Sequence, residues 1–225
     1  MINGKKVIAV TLARGGSKGI PKKNMVDING RPLIDYTVEQ VQKSRYIDEY
    51  YISTDDEDIS MYCYNENIFC IQRPKALSSD TAKSSYALMH AVNGLECDYV
   101  VEVMATNPLK NVDDIDGCIK EIDYKGVDSV VSVNRIYDQH PSRVKYLDEN
   151  NVMQDFYPEI PESRRQDLTP AAYIRNGSIY VMKKSFLMDN KVRYDKNSVA
   201  YTMPDERTVN IDEWEDLEIA RIRLS

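Results

Sequence analysis

This 225-residue sequence predicts an α/β fold built on a mostly parallel sheet flanked by helices. Three observations carry that prediction. Short apolar runs of strand length recur along the chain. Stretches of helical periodicity separate them. A turn rich in glycine and lysine follows the first run. Strands alternating with helices of ~10–15 residues imply βαβ units with parallel strands.

The elements follow in order. Val7-Ile8-Ala9-Val10-Thr11-Leu12 reads as a buried strand. Ile34, Val38 and Val41 recur at helical spacing after Pro32, which suits a helix start. Tyr50-Tyr51-Ile52-Ser53 is a second strand, and Asp55 and Asp56 are placed to cap a helix reaching about Asn65. Ile68-Phe69-Cys70-Ile71 is a short third strand. Leu88, Ala91, Val92 and Leu95 form the next helix face. Tyr99 to Met104 is a fourth strand, Ile115, Cys118, Ile119 and Ile122 a helix face, and Ser129 to Val133 a fifth strand. The pattern breaks near Asn134 and returns at Gly177-Ser178-Ile179-Tyr180-Val181-Met182. Between them, short alternating segments mix with charge, as in Arg143-Val144-Lys145-Tyr146-Leu147 and Ser163-Arg164-Arg165-Gln166-Asp167. This stretch, 135–173, reads as an arm inserted in a single domain spanning 1–225. Asn210-Ile211-Asp212 then precedes a last helix bearing Leu217, Ala220 and Leu224.

Bulk properties narrow the function. The net charge is −7 and the pI about 5.0. General nucleic-acid binding is disfavoured, because a phosphate backbone wants a basic surface. No apolar run approaches the ~20 residues of a membrane span. Met1 to Lys6 leads directly into the first strand, so no secretory leader is expected. Cys63, Cys70, Cys97 and Cys118 form no C-x-x-C pair and read as reduced core or near-core thiols, which places the chain in the cytoplasm.

Positive charge is concentrated instead in one loop, Leu12-Ala13-Arg14-Gly15-Gly16-Ser17-Lys18-Gly19-Ile20-Pro21-Lys22-Lys23-Asn24. Its glycines allow a tight turn that aims backbone N–H groups at one point. Arg14, Lys18, Lys22 and Lys23 crowd cations beside it, as a nucleoside triphosphate requires. A solvated turn is the plain alternative, since neither G-x-G-x-x-G nor G-x-x-x-x-G-K-[ST] is present. The position after a first strand is nonetheless where open α/β sheets bind ligands.

The loop resembles the opening signature of the N-acylneuraminate cytidylyltransferases, also called CMP-sialic acid synthetases. Ser53-Thr54-Asp55-Asp56, Arg73-Pro74, Ser79-Asp80-Thr81-Ala82, Asn107-Pro108-Leu109-Lys110, Arg164-Arg165-Gln166-Asp167-Leu168, Asn176-Gly177-Ser178-Ile179-Tyr180 and Asn210-Ile211-Asp212 continue the likeness in the expected order. Each motif alone is weak; the ordered set is specific and covers nearly the whole chain. The resemblance implies a Rossmann-like fold of the nucleotide-diphospho-sugar transferase type. It implies attack by the anomeric 2-hydroxyl of a nine-carbon 2-keto sugar acid on the α-phosphate of CTP, with Mg2+ as cofactor.

By the same resemblance, Arg14, Lys23 and Asp212 are the catalytic candidates. Leu12, Ala13, Gly15, Gly16, Ser17, Lys18, Asn24, Arg73, Asp80 and Ser84 join Arg14 around the nucleotide. Met104, Thr106, Arg143, Arg165, Gln166 and Asn176 are the sugar-binding candidates. Asp212 and Asn210 are the metal candidates. The arm resembles a homodimerisation element, with Arg143 and Arg165 reaching the partner subunit's site. Several of these have ordinary readings: Asp212 as a helix cap, Asp80 and Ser84 as helix N-terminal residues, the arginines as salt-bridge partners within the arm. His140 and His90 read as structural or surface residues.

Two positions depart from the familiar pattern. Met104 stands where many sialic-acid enzymes carry glutamine. It cannot make the amide's hydrogen bonds but can pack against a methyl or acetamido group, which favours a deoxy relative such as legionaminic acid. Asn210 stands where many relatives have aspartate, which predicts weaker magnesium binding. Arg175 occupies a place where proline is familiar. The competing readings are a CMP-Kdo or other sugar nucleotidyltransferase, and a catalytically impaired nucleotide-binding module.

Overall fold

The structure, a computed structural model, describes residues 1–159 and 163–225. β1 (Val7–Leu12) lies near the middle of a seven-stranded sheet. A small hairpin of β2 (Asp27–Ile28) and β3 (Arg31–Pro32) leads into α1 (Leu33–Gln42), where Pro32 stands at the N-cap. There follow β4 (Glu49–Thr54), α2 (Glu57–Asn65), β5 (Phe69–Gln72), α3 (Ser84–Val92), β6 (Tyr99–Val103), α4 (Val112–Lys125) and β7 (Ser129–Ile136). Two short strands, β8 (Lys145–Leu147) and β9 (Met153–Asp155), pair with each other. β10 (Ala172–Lys183), α5 (Lys184–Asn190), β11 (Val199–Thr202) and α6 (Trp214–Arg223) complete the chain.

The sheet order is β11-β7-β10-β6-β1-β4-β5. Strands β5, β4, β1 and β6 run parallel, as the alternation of elements predicts. β10 differs: it lies antiparallel between β6 and β7. β11, a strand the sequence reading did not anticipate, extends the sheet parallel to β7.

Core packing follows the two-residue period of a strand. Val7 and Ala9 face α4 together with Val101, Ile115 and Ile119. Ile8 and Val10 face the opposite layer with Leu88, Val92 and Val100. A strand covered on both faces reads as a continuous apolar run, which is why β1 was legible. Helix starts are equally local. Asp56 caps α2 by accepting from the Ile59 N–H at 3.1 Å. Asn111 and Asp114 close a capping box on α4.

Other expectations shift at their edges. α3 ends at Val92, so Leu95 lies beyond it and packs on the core from the following turn. Cys63 and Cys118 are buried, but Cys70 is exposed on the edge strand β5 rather than near the core. The stretch 135–173 overlaps the end of β7 and the start of β10; within it, residues 160–162 lie outside the described residues. His140 is buried there, its ring bonded to Ser142 Oγ at 2.7 Å and to the Pro170 carbonyl oxygen at 2.9 Å, so it ties the two roots of this arm together.

Candidate active site

A cleft of about 330 Å³ opens at the C-terminal ends of β1 and β6. From β1 the chain turns back to β4 on one side, while β6 lies on the other. This is the topological switch point, where the two loops diverge and leave a crevice.

The loop after β1 is fastened at several points. Ala13 N–H donates to the Ser53 carbonyl at 2.9 Å, and Gly15 N–H donates to Asp55 Oδ1 at 3.1 Å. The Asn24 amide donates to the Arg14 carbonyl at 3.0 Å. Two glycines have steric reasons. A Cβ at Gly15 would overlap the Asp56 carboxylate, and one at Gly19 would overlap the backbone carbonyl of Asp212. Gly19 therefore brings the loop against the 210–212 segment, on the facing wall.

Charges pair across the cleft. Arg14 meets Asp80 at 2.9 Å, and Lys18 meets the same carboxylate at 3.2 Å. The bond from Lys18, then that from Arg14, holds the Asp80 carboxyl below the usual carboxylate range. Lys23 Nζ donates to Asp212 Oδ1 at 2.8 Å and to the Ile211 carbonyl at 2.7 Å. Thr106 Oγ1 donates to Asn210 Oδ1 at 2.7 Å, and the Asn210 amide donates to Asp212 Oδ2 at 2.5 Å. Asp212 is thus oriented from two sides. It does not cap α6: Glu213 and Asp216 form that capping box, and Asp216 also accepts the Asp212 backbone N–H at 2.9 Å.

The loop after β6 has its own support. Lys110 is buried and donates to Thr37 Oγ1 at 2.6 Å, the Met104 carbonyl at 2.7 Å and the Asn107 carbonyl at 2.6 Å. Burial lowers its pKa to about 7. With Arg207 clamping Asp114 at 2.8 and 2.9 Å, it fixes the segment that presents Met104 and Thr106.

Most nucleotide-site candidates come together here. Leu12, Arg14, Gly16, Ser17, Lys23, Asn24, Arg73, Asp80 and Ser84 line the cleft. So do Met104, Thr106, Asn210 and Asp212. Ala13 is buried behind the loop, Gly15 is pinned to Asp55, and Lys18 reaches in only through Asp80. Ser84 is the first residue of α3, and Asp80 stands in the loop before it. Asn176 does not line the cleft: it is buried, its Oδ1 accepting from Ser132 at 2.7 Å and its amide directed at Met203 sulfur. Arg143, Arg165 and Gln166 lie in the arm. Both arginines approach Asp138, at 3.9 and 3.5 Å, and neither lines this chain's cleft. Sequence reasoning missed Leu77, Ser79, Ala82, Ala87 and Glu102 as lining residues. Glu102 carried a visible signal, the one charged residue inside the run Tyr99 to Val103.

The family model described as Cytidylyltransferase matches residues 8–223. The chain belongs to the cytidylyltransferase family. It is a nucleotidyltransferase enzyme. It is 30% identical over 223 residues to a pseudaminic acid cytidylyltransferase of Campylobacter jejuni, covering 96% of this chain and 95% of that one. It is 30% identical over 214 residues to an N-acylneuraminate cytidylyltransferase of Streptococcus agalactiae serotype V, covering 94% of this chain and 51% of that longer protein. In fold, this cytidylyltransferase superposes on a CMP:2-keto-3-deoxy-manno-octonic acid synthetase complexed with CTP, with a TM-score of 0.74 at 18% identity, covering 97% and 98% of the two chains. No helix among the described residues is long and apolar enough to cross a membrane.

Proposed function

We propose that this enzyme transfers the cytidylyl group of CTP to the anomeric 2-hydroxyl of a nonulosonic acid, giving the CMP-sugar and pyrophosphate. The attack forms the bond from that oxygen to the α-phosphorus and breaks the bond to the oxygen bridging the β-phosphorus. A proton and pyrophosphate are released. The observation that carries this reading is the cleft at the switch point, where Arg14, Lys18 and Lys23 stand beside a glycine-rich backbone. Nothing covalent is asked of the protein. It holds the reacting groups in line and offers fixed positive charge where negative charge accumulates on the leaving group. An incoming triphosphate competes with Asp80 and Asp212 for the same cations.

Asp212 and Asn210 fit a shared magnesium ion. Asp212 offers a carboxylate at the cleft wall. Asn210 would add an amide oxygen once its side chain leaves Thr106 and turns that oxygen, in place of its N–H, beside Asp212. Magnesium takes few protein ligands beside phosphate oxygens and water. When bound, such an ion would neutralise triphosphate charge.

Met104 points the sugar choice toward a deoxy nonulosonic acid. Its thioether stands in the cleft lining beside the partly apolar wall of Leu12. It offers no amide to a hydroxyl and a soft surface to a methyl group. Pyrophosphate release with CTP and magnesium, measured against legionaminic, pseudaminic, sialic and Kdo acids, tests both levels. We expect turnover with a deoxy nonulosonic acid. Preference for sialic acid would overturn the reading of Met104, and preference for Kdo would overturn the substrate class.

The arm is proposed to join two copies and to complete the neighbouring site. Its exposed apolar side chains Tyr146, Leu147, Met153 and Phe156 support this, since surface of this kind marks contact sites. Arg143 and Arg165 would then supply cations to the partner's sugar carboxylate through their planar forks. Mixing an Arg165→Ala chain with a Lys23→Ala chain should restore activity that neither has alone, because one site in the mixed dimer is intact. Failure of the mixture to recover any activity would show that each cleft works unaided by its partner. Four free cysteines suit work in the cytoplasm.

A further inference from the structure

Two charged side chains in the cleft are buried with their hydrogen-bonding capacity unmet. Arg73 is 7% exposed, and its Nε and Nη2 have no hydrogen-bond partner among the described residues. Its nearest carboxylate, Asp55, is 3.9 Å away, beyond hydrogen-bond reach. Glu102 is fully buried on β6. Its Oε2 accepts from Arg193 at 2.8 Å, while Oε1 is enclosed and unpartnered. Both residues line the cleft. Leaving buried charged groups unsatisfied is costly, so such groups mark the place of a ligand's own donors and acceptors.

We propose that Glu102 reads the nucleobase. With Arg73 it forms a donor–acceptor pair matched to the edge of cytosine and mismatched to uracil. This rests on the reading of the cleft as a CTP site.

The chemistry selects the base over the rest of the substrates. Triphosphate and sugar carboxylate oxygens only accept hydrogen bonds, as Glu102 Oε1 does, so neither can satisfy it. A pyrimidine is uncharged, with apolar faces and a polar edge. The cleft supplies Leu12, Leu77, Ala82 and Ala87 as apolar lining beside the Arg73 and Glu102 pair. Cytosine presents O2 and N3 as acceptors, which suit the guanidinium donors. It presents an N4 amino group as donor, which suits Glu102 Oε1. Uracil carries a carbonyl oxygen in place of that amine and an N3–H in place of the acceptor. Each inverts one match. Oε1 is also held from behind: Arg193 grips the other carboxylate oxygen and lies over the Tyr180 ring at 4.3 Å. The carboxylate therefore cannot swing away from an unfavourable base without breaking that pair.

The test is calorimetric titration of CTP and UTP into the wild type, Glu102→Gln and Glu102→Leu. It is paired with pyrophosphate release from both nucleotides in the presence of the accepting sugar. Glutamine keeps the shape and can still accept from Arg193, so that variant should fold even if the leucine variant does not. We expect Glu102→Leu to reduce the CTP-over-UTP preference by about 100-fold, because a site built around a hydrogen bond discriminates strongly. Glu102→Gln should narrow the preference at least as much, by about 100-fold or more, since its amide turns an N–H toward uracil O4 and against the cytosine amine. The KM for sugar should stay unchanged. An unaltered CTP-to-UTP ratio in Glu102→Gln, or a change in sugar KM in place of the ratio, would overturn the assignment. Absence of turnover by the wild type with every acid would instead count against the proposed reaction, and the binding ratios would still decide the role of Glu102.

Discussion

Replacing Lys23 with alanine should lower kcat by about 10²–10³-fold, the usual scale for removing one preorganised charge that stabilises a transition state. The chain should fold as before. Lys23 pairs with Asp212, whose side chain is 61% exposed and stays hydrated when the lysine is gone. The Lys23 side chain is only 14% exposed and also donates to the Ile211 carbonyl, so its removal should cost about 1–2 kcal/mol, within what a folded domain withstands. Lys23→Arg should recover part of the rate, because the charge returns with different reach. Single-turnover kinetics and a thermal melt check the two halves together. A variant that keeps kcat while raising only the KM for CTP would assign Lys23 to ground-state binding.

Asp212→Asn should be nearly as damaging to turnover, and it separates two roles for this residue. As a cap, the side chain would matter to α6. As a metal ligand, it would matter to the response to magnesium. The capping box belongs to Glu213 and Asp216, and Asp212 contributes only its backbone N–H there. The melting transition should therefore shift little, by ~0.5 kcal/mol or less. The magnesium concentration for half-maximal rate should rise by at least about tenfold, because the pair of oxygen donors loses its only charge. A lost melting transition with an unchanged magnesium titration would return Asp212 to a structural role.

Much of this molecule is legible in its sequence because the deciding physics is local. Asp56 caps α2 through a bond three residues along the chain, and the β1 run is apolar because both its faces are covered. The loop after β1 shows its chemistry in glycines and cations that sit side by side. Other features depend on distant partners. The direction of β10 is absent from its period-two pattern, which is the same for parallel and antiparallel strands. β11 is four half-exposed residues at the sheet edge, too short to separate from a loop. Asn176 stands in a recognisable motif, yet Ser132, forty-four residues earlier, takes up its oxygen. Glu102 is visible as the one charge in an apolar run, but its meaning emerges only when Arg73, just past β5, and Arg193, beyond α5, are brought to it.

The length of β10 has a structural consequence. Its first residues, Ala172 to Arg175, pair with the outer end of β7 at the root of the arm. After the irregularity near residues 175–180, the same strand pairs with β6, and the Ser178 carbonyl accepts the Met104 N–H at 2.9 Å. One strand therefore connects the root of the arm to the backbone beneath Met104. The register shift between Arg175 and Tyr180 separates its two halves, so the arm end and the cleft end are held by different neighbours. A substitution at the arm's root and one beneath Met104 therefore act on a single backbone segment.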